Sequence, residues 1–360
     1  MKKFLFMAAV AGLTLTSCSQ EELSVPTAEN NEITFALPVV GKNTRAVTEV
    51  GTNYGTDYTF GVWAKYNNTG AATSWTAGQF YIGTAADHGV QAAYKSSVNG
   101  WAFATPYYWP KNGDLSFIAY SPYTAAVSAT ATVTGEGIQF TGYTVGDAAD
   151  VDLLFSEVSR NKTKDDINTT APYSGIDVQF KHALSSVRFA VKTEKAYAGT
   201  TIKVQNIEVL NAYSKGNFNQ GLADNATAET ADANACWSGY VTDSERSYTA
   251  FTGDITVANA AKYVHNGSAN ASDNTTDLIL LPQALDHTAA TTNKVKVKVN
   301  YTIESPSGNV LSQETTLSLT GDWFRGNRYT YTIVFGLDEI YLDPTVEAWD
   351  DKTGSIDGQI

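Results

Sequence analysis

From Glu32 the chain alternates. Ile33, Phe35, Leu37 and Val39 are apolar at every second position, which places them on one face of an extended strand. Pro38 removes a backbone donor, so this strand is read as lying at an edge or an end of a sheet. Runs of the same type follow at near-regular spacing: Tyr58 to Tyr66, Gln79 to Ile82, Leu115 to Tyr120 and Gly137 to Tyr143, with Gly, Asn and Asp clusters between them. The second half continues with Val178 to Leu184, Val187 to Lys192, Lys203 to Leu210, Asp277 to Leu281, Lys294 to Ile303, Thr315 to Leu319 and Tyr329 to Phe335. In Lys294 to Ile303 the residues Val295, Val297, Val299, Tyr301 and Ile303 are expected inward and the lysines outward. Lysines in that position read as a solvated sheet face that resists edge pairing, in preference to a basic binding stripe. Near the C-terminus Ile340, Leu342, Pro344, Val346 and Ala348 again share one face. Beyond the first eighteen residues no long window repeats at 3.6, so the pattern predicts an all-β fold of sandwich or barrel type. The polar stretch Asn161 to Gly175, which contains Pro172, predicts a domain boundary near residue 175.

The N-terminus departs from this pattern. Lys2 and Lys3 precede an apolar run from Phe4 to Leu15, which is the form of a secretory signal and is too short to span a bilayer. It ends in Leu15-Thr16-Ser17-Cys18, which resembles a bacterial lipobox. Cys18 is therefore the expected lipidation site, with Ser19 to Glu22 as a polar tether. That leaves Cys236 without an intrachain disulfide partner, and a buried apolar role is expected for it.

Composition narrows the function classes. Twenty-four basic residues against 37 acidic ones give a formal charge of −13, the opposite of what a phosphate backbone attracts. Two Cys and four His exclude a disulfide scaffold and a Cys-rich zinc site. His88, His182, His265 and His287 lie far apart, and neither H-E-x-x-H nor G-x-S-x-G occurs. His182 is expected to be a core or sheet-edge histidine satisfied by the backbone. Asp147, Asp150 and Asp152, like Asp165 and Asp166, carry hard oxygens suited to calcium, but turn and cap chemistry is the simpler reading. Nothing in the pattern calls for a cofactor, a metal or a catalytic residue, and a non-enzymatic protein is expected.

Several short motifs occur in a fixed order: Tyr108-Trp109-Pro110; Leu115-Ser-Phe117-Ile-Ala-Tyr120-Ser-Pro122; Asp152-Leu-Leu-Phe155; Phe180-Lys-His182-Ala-Leu184-Ser-Ser-Val187-Arg-Phe189; Leu280-Leu-Pro282-Gln283; and Gly321-x-Trp323-x-x-Gly326-x-x-Tyr329-x-Tyr331. Together, behind a lipobox, they resemble the fimbrillin family (Mfa-like and FimA-type) of Bacteroidales, the subunits of type V pili. The resemblance implies two tandem transthyretin-like β-sandwich domains, here 46–175 and 176–339, after a signal (1–18) and a removable tether and first strand (19–45). It implies export as an outer-membrane lipoprotein and cleavage by an arginine-specific protease, for which Arg45-Ala46 matches the position. It implies loss of the strand carrying Ile33, Phe35, Leu37 and Val39. The vacated groove would take a strand from the C-terminal region of the next subunit. The tail 340–360, with Ile340, Leu342, Val346 and Ala348, is the candidate donor.

The pattern supports that scheme physically. A vacated groove offers unpaired backbone groups and apolar pockets at alternate positions, a template for strand addition. Ten extended residues reach about 33 Å, and a head-to-tail contact that does not close builds a filament. Residues 1–45 carry four basic and four acidic side chains, so their loss would leave the charge at −13. The implied partners are other pilin subunits, the protease, the outer membrane and host or bacterial surface ligands. The alternatives are an anchor or tip fimbrillin, or a glycan-binding surface lipoprotein that stacks sugars on Trp63, Trp75, Trp101 or Trp237.

Overall fold

The computed structural model describes residues 31–40, 54–68, 75, 78–135, 137–169, 173–221, 236–264, 277–286, 294–336 and 339–349. The chain forms two units, Met1–Asn31 and Glu32–Ile360, and every strand described below lies in the second. Among the described residues helix is confined to Ala125–Ser128 and two single turns, Lys164–Asp166 and Thr242–Ser244, so the fold is all-β.

The first sheet runs Thr34–Phe35, Gly100–Phe103, Val90–Lys95, Phe60–Asn67, Asp114–Ser121, Leu154–Ser156, Gln179–His182, Val39–Val40. Its first and last members belong to one chain segment, residues 33–40, so the hydrogen-bonded path returns to where it began. Closing a sheet in this way removes its exposed edges.

Two strands of this sheet are buried on both faces. In Phe60–Asn67 the residues Phe60, Val62 and Ala64 enter one core, while Trp63 enters another. In Asp114–Ser121 the residues Leu115, Phe117 and Ala119 enter the first core, and Ile118 and Tyr120 the second. Period-two geometry sends successive side chains to opposite faces, so a strand between two cores must be apolar at nearly every position. That is why Leu115 to Tyr120 reads as an almost unbroken apolar run.

The second core is walled by three further sheets. One runs Lys262–Val264, Ser185–Thr193, Asn327–Phe335, Ile340–Ala348; its central pair is parallel, with Val187 opposite Tyr329 and Val191 opposite Ile333. Another runs Glu245–Thr256, Thr201–Tyr213, Lys296–Glu304, Val310–Ser318. A third joins Trp237–Ser238, Lys215–Asn219, Gly137–Thr144 and Ala131–Thr134.

The lysine-valine alternation behaves as expected over most of its length. Val295, Val297 and Val299 are fully buried, and Lys298 pairs with Glu208 directly across the strand pair at 2.5 Å. Beyond Val299 the alternation weakens: Thr302 is buried, and Tyr301 and Ile303 are half-buried against the core. The neighbouring strand has an irregularity at Val204/Asn206, opposite Tyr301 and Asn300, and an extra residue there turns the local twist.

The hydrogen bond from Lys298 holds the Glu208 carboxyl below its ordinary value of 4.5, against the opposing effect of burial. A depressed folded-state value contributes stability that is present above about pH 4.5 and is lost as pH falls through the folded value. Lys298→Met should therefore flatten the loss of stability between pH 5 and pH 3. Urea midpoints across that window check it; identical slopes in variant and parent would remove Glu208 as a contributor.

Candidate functional site

The segment 33–40 is threaded between two stretches of chain. On one side Thr34 and Phe35 pair antiparallel with Ala102 and Trp101, and the Ile33 amide donates to the Tyr107 carbonyl at 2.8 Å. On the other side the Ile176 amide donates to Thr34 O (2.8 Å), Ala36 to Ile176 O (3.0 Å) and Val39 to Val178 O (3.0 Å). Val39 and Val40 then run parallel to Gln179 and Phe180. The expectation of an edge strand is corrected: around residues 34–36 the segment is paired on both flanks. Pro38 sits in the gap between its two short strands, where the missing donor costs no ladder bond.

The side chains fill a prepared site. Ile33 and Phe35 are fully buried. The Phe35 ring meets Phe60, Phe103 and Phe117 edge-on, at centroid distances of 5.4, 5.6 and 5.6 Å. Leu37 is half-buried against the same core. The one-face alternation fails at Val39, which is 41% exposed, while Val40 packs inward. The interruption at Pro38 shifts the phase by one residue, and a one-residue shift exchanges the faces.

The backbone also passes unusually close to its neighbours. A Cβ on Gly100 would lie 2.8 Å from the Phe35 carbonyl oxygen, and one on Gly175 would lie 2.4–2.5 Å from three Phe35 backbone atoms. These glycines carry no distinguishing pattern in the sequence, because the residue they make room for is distant along the chain.

The terminal strand Ile340–Ala348 pairs antiparallel with Asn327–Phe335 over its whole length, from Phe335 opposite Ile340 to Asn327 opposite Ala348. Ile340, Leu342, Pro344 and Val346 face a groove of about 510 Å³ that Leu319 and Tyr331 also line. Val346 is 58% exposed there. Ala348 is exposed at the end of the strand. Towards the sheet's other face Glu347 pairs with Arg188 at 2.8 Å and Asp343 approaches Lys192 at 3.7 Å. Both carboxylates are more than half exposed, so these pairs add little holding power.

A family model described as fimbrillin-like matches residues 44–349. The chain belongs to the fimbrillin-like family. A fimbrial protein from Bacteroides vulgatus has the same fold at 17% identity, with a TM-score of 0.56 over 89% of this chain and 100% of that one. The tip fimbrial protein Mfa3 from Porphyromonas gingivalis, C-terminally truncated, overlaps 81% of this chain and 94% of its own at 11% identity and a TM-score of 0.37, too loosely to carry an argument. Among curated proteins none matches.

The fimbrillin motifs have structural reasons. Trp323 Nε1 donates to Tyr331 Oη at 2.9 Å, and the Phe324 amide donates to Tyr329 Oη at 2.7 Å, which tie the turn to the central strand. Burial pushes the Tyr331 phenol up to about 12. Gln283 is buried and accepts from the Tyr213 amide at 2.9 Å. Arg328 donates to Asp277 at 2.7 Å, in a buried pair that also takes Ser186 Oγ.

Other expected positions fall differently. Cys18, Arg45, Ala46, His265 and His287 lie outside the described residues. Trp63, Trp75, Trp101 and Trp237 are all buried in this fimbrillin, and each indole N–H has an acceptor, Trp101 for example Tyr58 O at 3.0 Å. A buried indole with its donor satisfied has no face for a sugar, so the glycan reading on these four is overturned. Cys236 is half-buried rather than buried. His182 is buried as expected, but its partner is a carboxylate: Nδ1 lies 2.8 Å from Asp152 Oδ2, and its ring stacks on Trp349 at 3.7 Å. Asp147 is engaged by Arg246, and Asp166 caps a single turn by accepting from the Thr163 amide. Among the described residues no group of three or more His, Cys, Asp or Glu is placed to hold a metal ion.

Proposed function

We propose that this fimbrillin is a structural subunit of a cell-surface pilus, polymerised by strand exchange. On this reading it is exported as an outer-membrane lipoprotein through Cys18 and cut after Arg45 by an arginine-specific protease. The segment carrying Ile33, Phe35, Leu37 and Val39 then leaves. The groove takes the terminal strand of the next subunit, which presents Ile340, Leu342, Val346 and Ala348. The acidic charge keeps the filament soluble and free of lateral clumping.

The observation that carries the reading is the closing segment: a short stretch, paired on both flanks, seated in an aromatic pocket and lying just before Arg45. Its removal would leave open backbone on both sides and a vacant apolar pocket, a state that another extended strand would relieve.

The test uses chain cut after Arg45 and freed of residues 1–45. It should be markedly less stable than the uncut chain, and a synthetic peptide of residues 31–40 should restore stability in a concentration-dependent way. A cut chain as stable as the uncut one, with no response to peptide, would sink the exchange mechanism. N-terminal sequencing of sheared pili should read from Ala46; recovery of only lipidated full-length chain would count instead for an anchor subunit.

A further inference from the structure

A strand paired within its own chain cannot at the same time fill a neighbour's groove. Ile340–Ala348 is paired along its whole length with Asn327–Phe335. If this strand is the donor, something must hold it at home before processing and release it afterwards.

The end of that strand is pinned by one residue. Trp349 is 5% exposed although the strand before it is largely in solvent. Its amide donates to Gly326 O at 2.9 Å. Its ring lies flat on His182, at 3.7 Å between centroids and 9° between planes. The His182 ring is itself oriented by Asp152, whose Oδ2 lies 2.8 Å from Nδ1.

His182 ends the strand Gln179–His182, and the other end of that strand is held by the closing segment. Gln179 and Phe180 pair with Val39 and Val40. Just upstream, Ile176 and Val178 exchange backbone hydrogen bonds with Thr34, Ala36 and Val39. The opposite flank is held at residues 180–183 by Leu153–Ser156, and upstream of Phe180 by the Ser159 hydroxyl, which donates to Asp177 O at 3.2 Å. One four-residue strand thus touches both the segment that would leave and the tail that would be released.

We infer that His182 and Trp349 form a latch that keeps the terminal strand docked on its own subunit until the closing segment departs. Departure strips the stretch 176–180 of one flank, loosens His182 and frees Trp349, so a subunit becomes an acceptor and a donor in the same event. The inference rests on the strand-exchange reading above and supplies its order: uncut subunits do not offer their tails.

Hydrogen–deuterium exchange on the full chain tests it. In the uncut protein Trp349→Ala should speed exchange of the amides in 340–348 about tenfold, the loss of one aromatic stack, and leave Ser185–Thr193 unchanged. Parent chain cut at Arg45, freed of residues 1–45 and held dilute enough to stay monomeric, should show the same acceleration with no substitution at all. That second arm stands even if the variant folds poorly. Unchanged protection of 340–348 in the cut monomer would overturn the latch. A chain ending at Glu339 separates the two ideas. If it polymerises normally, the donor reading falls whatever the exchange data show. If it fails to polymerise while the cut monomer keeps its tail protected, the donor reading stands and the latch falls.

Discussion

Phe35→Ala is expected to lower the stability of the uncut chain by about 3–5 kcal/mol, the usual cost of emptying a buried phenylalanine site. The upper half of that range is favoured here. Three rings meet Phe35 edge-on, and all three stand on strands of the closed sheet, so the site has little freedom to collapse. Leu37→Ala, at a half-buried position of the same segment, should cost less than half as much. Urea midpoints on both variants decide it. The same substitution in the 31–40 peptide should weaken its rescue of cut chain by a hundredfold or more, since about 1.4 kcal/mol is a factor of ten. Equal rescue by the two peptides would mean that Phe35 is not what the groove recognises.

Gly175→Val is expected to cost about 3 kcal/mol or more in the uncut chain, from two sources. The new Cβ would lie 2.4–2.5 Å from Phe35 backbone atoms, so either the segment or the loop must move. Gly175 also has φ +147°, a conformation that a β-branched residue adopts only under strain. Gly221→Val provides the control, because φ there is +60° and nothing lies within 4 Å of a Cβ. It carries backbone strain without crowding. The strain at φ +147° and at φ +60° is unequal but does not depend on residues 1–45, so the closeness of the segment is the part of the difference between the two variants that disappears once residues 1–45 are removed. A difference left unchanged by removal would place the crowding elsewhere.

Strands with one wet face were legible from the pattern. The stretch from Lys294 alternates over most of its length because one side meets water and the other meets apolar neighbours, whereas the terminal strand alternates in sequence but is buried in that rhythm only as far as Leu342. Gln79–Ile82 was bounded as expected, and most other runs were placed to within a few residues. Val90–Lys95, Gly100–Phe103 and Glu245–Thr256 did not stand out. The first two are short, and Glu245–Thr256 carries exposed residues on both faces through Gly253 and Asp254, so a period of two is hard to see. The candidate site was half legible. The apolar face of residues 33–37 could be read, and so could the matching face of 340–346. The second flank of the closing segment could not, because its partners at Ala102 and Ile176 are distant in sequence.

His182 and Trp349 make the same point. Neither carries a motif that joins them, and 166 positions lie between them along the chain. Local pattern determines which segments are extended, which faces are apolar, the fold class and the family, because these follow from side-chain period and residue type. The closure of the first sheet on its own N-terminal segment, the glycines that admit Phe35 and the stacking of the tail on His182 were decided only in three dimensions. Each depends on where distant strands meet, and a period of two is the same whatever the neighbour.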